Sequence, residues 1–82
     1  MYKNLSYFEL ILKAKDYLKN ISTEDLDFLN TLQEKSPYSN LYKGLKICEK
    51  QIDIDILDKD IYCKQLHEEI IIRIKQAHSY FN

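Results

Sequence analysis

Glycine and proline each occur once, as Gly44 and Pro37, in a chain of 82 residues that has no tryptophan. A β-rich domain spends such residues on its turns, so their shortage points toward an all-helical fold. A single glycine also excludes phosphate-cradling loops, dinucleotide fingerprints and serine-centred nucleophile elbows, which need more than one. No apolar run approaches the roughly 20 residues of a membrane span. The opening stretch MYKNLSYFELILKAKDYL is interrupted by Glu9, Lys13, Lys15 and Asp16. It carries no uninterrupted apolar core and no small-residue cleavage site, so it does not read as a secretory signal. Two cysteines without a signal lead to the expectation of reduced thiols in the cytoplasm.

Charge of one sign is lacking too. Formal net charge is −1, from 12 basic and 13 acidic residues. Residues 1–50 hold eight lysines against seven acids, and residues 51–82 four basic groups against six acids. Neither half has the basic excess of a nucleic-acid or membrane-surface binder. What is present is 45% hydrophobic and 30% charged residues, a globular composition. A domain of this size buries roughly 60–65% of its unfolded surface, which leaves a thin core open to help from a partner.

Hydrophobic spacing marks four helical segments. Tyr7, Leu10, Ile11, Ala14, Tyr17, Leu18 and Ile21 recur every three or four residues, as one stripe of a first helix. Ser22 is placed to cap a second, with Glu24 and Asp25 in its first turn and Leu26, Leu29 and Leu32 on its inner face beside Phe28. A third spans about 36–51, capped by Ser36 with Pro37 at its first position; Tyr38, Leu41, Leu45, Cys48 and Ile52 form its apolar face and Gly44 flanks it. Residues 51–57 alternate Ile52, Ile54 and Ile56 with Asp53 and Asp55, a strand signature without a second strand to pair with. Within one chain this stretch reads as a connector, with Asp55 or Asp58 capping a long last helix over about 58–80; pairing across a dimer is the alternative. That helix carries Cys63, Leu66, His67, Ile70, Ile74, Ala77 and Phe81 on one stripe. The expected architecture is all-α: a compact four-helix bundle-like single domain with a long C-terminal helix.

CKQLHEEIIIRIKQAH, residues 63–78, is where chemistry would be sought. Cys63 and His67 sit four apart, a ligand spacing. His78 lies eleven residues beyond His67, about 16 Å along a helix, and Ile71 stands where a zincin needs its second histidine. A set of Cys48, Cys63 and His67 would require two helices to pack antiparallel; buried apolar thiols are the simpler account. A mid-helix thiol on a core face is inert rather than activated. An EF-hand loop begun at Asp53 fails because Asp58 and Lys64 occupy the glycine and glutamate positions. No catalytic residue, metal or cofactor is therefore expected, and no enzyme.

The remaining oddity is apolar residues off the stripes. Ile61, Ile72 and Leu57 lie away from the main face of the last helix, and Leu5, Phe8 and Leu12 away from that of the first. In an isolated bundle they are exposed and mark an interface, unless the two sets pack on one another. Leu5, Phe8, Leu12, Ile61 and Ile72 are thus the candidate contact surface for another protein or a second copy. The expected function is non-enzymatic protein binding of the inhibitor, immunity, antitoxin or adaptor type, with no membrane or small-molecule substrate. Seven tyrosines suit such a surface; Tyr2, Tyr42, Tyr62 and Tyr80 look peripheral.

The alternative is a DNA-binding helix-turn-helix-like transcriptional regulator that reads DNA with the 36–51 helix and dimerises through the last. Lys43, Lys46 and Lys50 share the side of that helix away from its apolar face, and residues 35–50 carry +3. The wing of such regulators needs two strands and a turn that this chain does not offer, and the charge elsewhere is near neutral.

Overall fold

Helix α1 (Tyr7–Ala14) starts with a reciprocal cap. The Glu9 amide donates to Ser6 Oγ at 3.1 Å, and the Ser6 amide donates to Glu9 Oε1 at 2.8 Å, satisfying two donors that a helix start leaves open. The computed structural model describes residues 2–81 and the side chains of residues 2–79. Leu10, Ile11 and Ala14 are buried as the spacing predicts, but the helix stops at Ala14 rather than running on to Ile21. A single 3₁₀ turn, Lys15–Tyr17, follows, and Leu18 is extended. Leu18 forms an isolated antiparallel bridge with Ile52: the Lys19 amide donates to the Gln51 carbonyl and the Asp53 amide to the Tyr17 carbonyl, both at 2.9 Å. Asn20 then turns the chain at φ 60°, a left-handed conformation asparagine tolerates better than most residues.

Helix α2 (Thr23–Thr31) is capped by Ser22, whose Oγ accepts from the Asp25 amide at 3.1 Å. Leu29 and Leu32 turn inward, while Leu26, expected on the same face, is exposed. Leu32 lies just past the helix as its C-cap, so the inner face is shorter than three leucines imply. In helix α3 (Tyr38–Gln51) Pro37 itself is the N-cap, its carbonyl accepting from the amides of Asn40 and Leu41. Ser36, the expected cap, instead accepts from the Gln33 amide at 2.9 Å and closes the preceding turn. Tyr38, placed on the apolar face by its spacing, is 70% exposed at the helix tip, where its ring meets Tyr7 edge-on.

The alternating stretch is neither strand nor plain loop. Ile52 makes the bridge, and residues Ile54–Leu57 close into one helical turn, α4, capped by Asp53. Ile56 and Leu57 face the core and Ile54 faces out. Helix α5 (Ile61–Phe81) starts at 61 rather than 58. Its cap is Asp60 rather than Asp55 or Asp58: Oδ1 accepts from the amides of Tyr62 at 2.9 Å and Cys63 at 3.3 Å. Cys63, Leu66, Ile70 and Ala77 are buried along its inner stripe, with His67 and Ile74 half-buried. The side chains of Tyr80 and Phe81, the latter predicted on that stripe, lie outside the described residues.

The described residues thus form an all-α single domain, 33 × 28 × 21 Å, with α1 and α5 packed on α3 and on each other. Its core joins Leu10, Ile11, Leu29, Leu45, Leu66 and Ile70, fully or almost fully buried. Each such side chain contributes about 1.5–3 kcal/mol by leaving water. Among the described residues no helix is long and apolar enough to cross a membrane.

Gly44 sits at the centre of this packing, buried rather than at the flank of the apolar face. A Cβ there would lie 2.7 Å from Leu32 Cδ1, 2.9 Å from Ile11 Cδ1 and 3.4 Å from Leu29 Cδ2. Leu32 and Ile11 are themselves buried, so neither methyl can swing into solvent. Alanine would add about 1 kcal/mol of helix propensity but overpack the contact by about 1–3 kcal/mol. Gly44→Ala is therefore expected to lower the denaturant midpoint, by about 1 kcal/mol of stability. A raised midpoint, as at an open helical glycine, would show that the close approach is not there.

Candidate interaction surfaces

The cysteine–histidine stretch resolves into core and edge. Cys48 and Cys63 are free thiols, both buried. Burial pushes the Cys48 thiol up to about 12, with Lys15 opposing slightly. Burial also raises Cys63, helped by the carboxylates of Asp60 and Asp53. A nucleophilic or metal-binding thiol needs the opposite shift, toward thiolate. His67 is half-buried at the stripe edge. His78 is exposed near the far end of α5, its Nδ1 3.4 Å from the Tyr42 hydroxyl on α3. Among the described residues no three His, Cys, Asp or Glu side chains are grouped to hold a metal ion.

The chain's single arginine, to which spacing and composition draw no attention, organises the other side of α5. Arg73 Nε donates to Glu69 Oε2 at 2.8 Å, one helical turn back, and Nη2 donates to the Lys3 carbonyl at 2.5 Å. Its guanidinium stands 5.9 Å from the Tyr7 ring centre. Both members of the ion pair are largely buried. Glu69 and Arg73 are therefore tied to the segment before α1, which packs along their side of α5. The available signal was the i, i+4 Glu–Arg pairing, which in sequence looks like any surface pair.

That return of the N-terminal segment divides the off-stripe residues. Leu5, Phe8 and Leu57 are half-buried and packed against the core, so they are not the exposed set that an isolated bundle implied. Leu12, Ile61 and Ile72 do remain exposed. On α5 the outward arc comprises Ile61, Lys64, Gln65, Glu68, Ile72 and Lys75, all exposed and opposite Cys63, Leu66 and Ile70. Ile61 is 64% and Ile72 46% exposed, and both lie near the middle of this arc.

Lys43, Lys46 and Lys50 are exposed on α3 and line one shallow depression of about 310 Å³ with Asp25, Tyr42 and Ile47. Two of them rest on the protein's own rings: Lys43 Nζ lies 4.6 Å from the Phe28 centroid and Lys46 Nζ 5.3 Å from that of Tyr42. Such exposed cation–π contacts stabilise by about 0.5–1 kcal/mol and hold the ammonium groups along the surface. The segment between α2 and α3 spans residues 32–37, longer than the 3–4-residue turn of a helix-turn-helix.

No protein-family model matches this chain, and comparison with curated proteins and with solved structures finds no match.

The thiols make stability depend on pH in a defined direction. A group that holds its proton more tightly when folded adds stability below its unfolded pKa and loses it as pH rises toward the folded value. For Cys48 that window runs from 9.0 to about 12, and Cys63, Tyr2 and Tyr17, all raised chiefly by burial, act in the same sense. The denaturant midpoint should fall as pH rises above about 9, with a shallower fall in Cys48→Ala. A midpoint insensitive to alkaline pH would contradict the buried position of the two thiols.

Proposed function

We propose that this protein works without catalysis, by docking on another protein chain through the outward face of α5. Inhibitor, immunity, antitoxin and adaptor proteins act in this general way, and the two reduced thiols suit a reducing compartment such as the cytoplasm. The supporting observation is the exposure of Ile61 and Ile72 on the outward arc of the longest helix, whose inner stripe is already used by the core. Each isoleucine, about half exposed, leaves about half of the roughly 1.5–3 kcal/mol of full burial unrealised in the free chain. Tyr62, also exposed beside Ile61, adds a ring of the kind enriched at interface cores. Leu12, exposed on α1, is a separate candidate contact; Leu5 and Phe8, half-buried against the core, are not assigned to the surface.

A second reading rests on Lys43, Lys46 and Lys50, which share one depression beside the exposed Ser39 and Asn40. Hydroxyl, amide and ammonium groups along one helix suit DNA phosphates and base edges. Its signature is electrostatic. Three phosphate contacts give roughly a 40-fold loss of affinity between 50 and 200 mM salt, at a slope of about −0.9 per phosphate. Titrating a fluorescent duplex decides it. Protein docking predicts no saturable binding even at low salt, whereas the steep salt dependence, lost on charge reversal of the three lysines, would favour DNA.

For the protein-docking reading, Ile61→Glu and Ile72→Glu should leave helical circular dichroism and unfolding midpoint within about 0.5 kcal/mol of wild type, as for exposed positions. Cross-linking in the cells that make the protein should yield adducts with the wild type that both variants lose. Adducts that persist in the double variant would refute this face as the docking surface. Unfolding of either variant would show that these isoleucines are core.

A further inference from the structure

Ile61 and Ile72 are eleven residues apart, about 20° beyond three full helical turns and about 16 Å along the axis. Between them the same arc presents Lys64, Gln65 and Glu68, all exposed. A partner that covers this face must offer apolar groups at that separation, with polar groups of matching charge between them. The face itself, run in reverse, offers this pattern. We infer that the occupant is a second copy of the chain, with the two α5 helices packed antiparallel about a twofold axis between residues 66 and 67. The inference rests on the docking role given to this face and names its partner.

In that register Ile61 meets the partner's Ile72, and Ile72 meets the partner's Ile61, as an isologous contact requires. Each isolated isoleucine thereby gains an apolar neighbour. Lys64 comes level with the partner's Glu68, within about 1.5 Å along the axis. Lys64 and Glu68 lie on the same side of the Ile61–Ile72 line, by about 60° and 20° respectively. A perpendicular twofold axis brings like flanks together, so the opposite charges face each other twice. Gln65 approaches its own copy on the opposite flank, where two side-chain amides can bond to each other. A parallel twofold would instead bring opposite flanks together, so that Lys64 and Glu68 face the partner's Gln65 side and the two opposite charges no longer meet.

The geometry leaves room for this contact. Helix α5 has 21 residues, about 31 Å of a molecule 33 Å long, and the segment before α1 packs on the Glu69–Arg73 side, clear of the arc. One helix pair lies at the small end of specific interfaces, so a weak dimer is expected, dissociating in roughly the micromolar range or above.

Disulfide trapping with the purified full-length chain tests the register. An Ile61→Cys variant is mixed with an isotopically heavier Ile72→Cys variant under mild oxidation, the native thiols being buried. The mixed disulfide should exceed either homodisulfide by at least about tenfold. Dominant homodisulfides would overturn the antiparallel register. By sedimentation, the wild type should rise from 9.9 kDa toward twice that mass with concentration. Lys64→Glu and Glu68→Lys should each weaken the dimer several-fold, and the double variant should restore it. A chain that stays monomeric to millimolar concentration overturns the second copy as occupant. In-cell adducts that depend on Ile61 and Ile72 would then still uphold docking on a different protein, and their loss would remove both.

Discussion

The fold depends on one close approach. Gly44 lets α3 take the Ile11 methyl from α1 and the Leu32 methyl from the α2 side at distances that a Cβ would crowd. With α1 seated there, α3 becomes the central helix, and α5 closes the core against both α1 and α3. The domain has few residues with which to bury a core, so it relies on fully sealed side chains such as Leu10, Leu45, Leu66 and Ile70. Glycine in a helix interior costs about 1 kcal/mol, and here that cost is offset by the packing it permits.

The same packing determines which surface is left. The inner stripe of α5 is consumed by the core, and one flank is held by Arg73, which bridges Glu69 and the Lys3 carbonyl. What remains is an arc of charged and amide side chains with two isoleucines in its midst. Sealed thiols at Cys48 and Cys63 sit on the opposite side of this chemistry, serving as small apolar groups rather than as nucleophiles. Fold alone does not imply function; the case for docking rests on the arrangement of named side chains on α5.

Much of this was legible in the sequence because it is local. The Ser22 cap, the inner stripe Cys63–Leu66–Ile70–Ala77 and the all-α class follow from spacing within single helices. Where the reading went astray, a distant partner decided the outcome. Tyr17, Leu18 and Ile21 keep a three- and four-residue spacing, yet backbone bonds to Gln51 and Asp53, more than thirty residues away, pull Leu18 into an extended bridge. Four aspartates between 53 and 60 were all eligible caps; the pleat at Ile52 and the short turn of α4 selected Asp53 and Asp60. Leu5 and Phe8 look as exposed as Ile61 and Ile72 on a helical projection. They are instead half-buried and packed against the core, and the chain before α1 is joined to α5 by Arg73, which donates to the Lys3 carbonyl seventy residues away.

The most direct test of the α5 face is a concentration series of amide correlation spectra on the uniformly ¹⁵N-labelled protein. The account predicts shifts or broadening that grow with concentration and concentrate on Ile61, Lys64, Gln65, Glu68, Ile72 and Lys75, leaving the amides of α3 still. Changes that map instead to Lys43, Lys46 and Lys50 would contradict the α5 face as the contact, and spectra that do not change at all up to millimolar protein would contradict a second copy as its occupant.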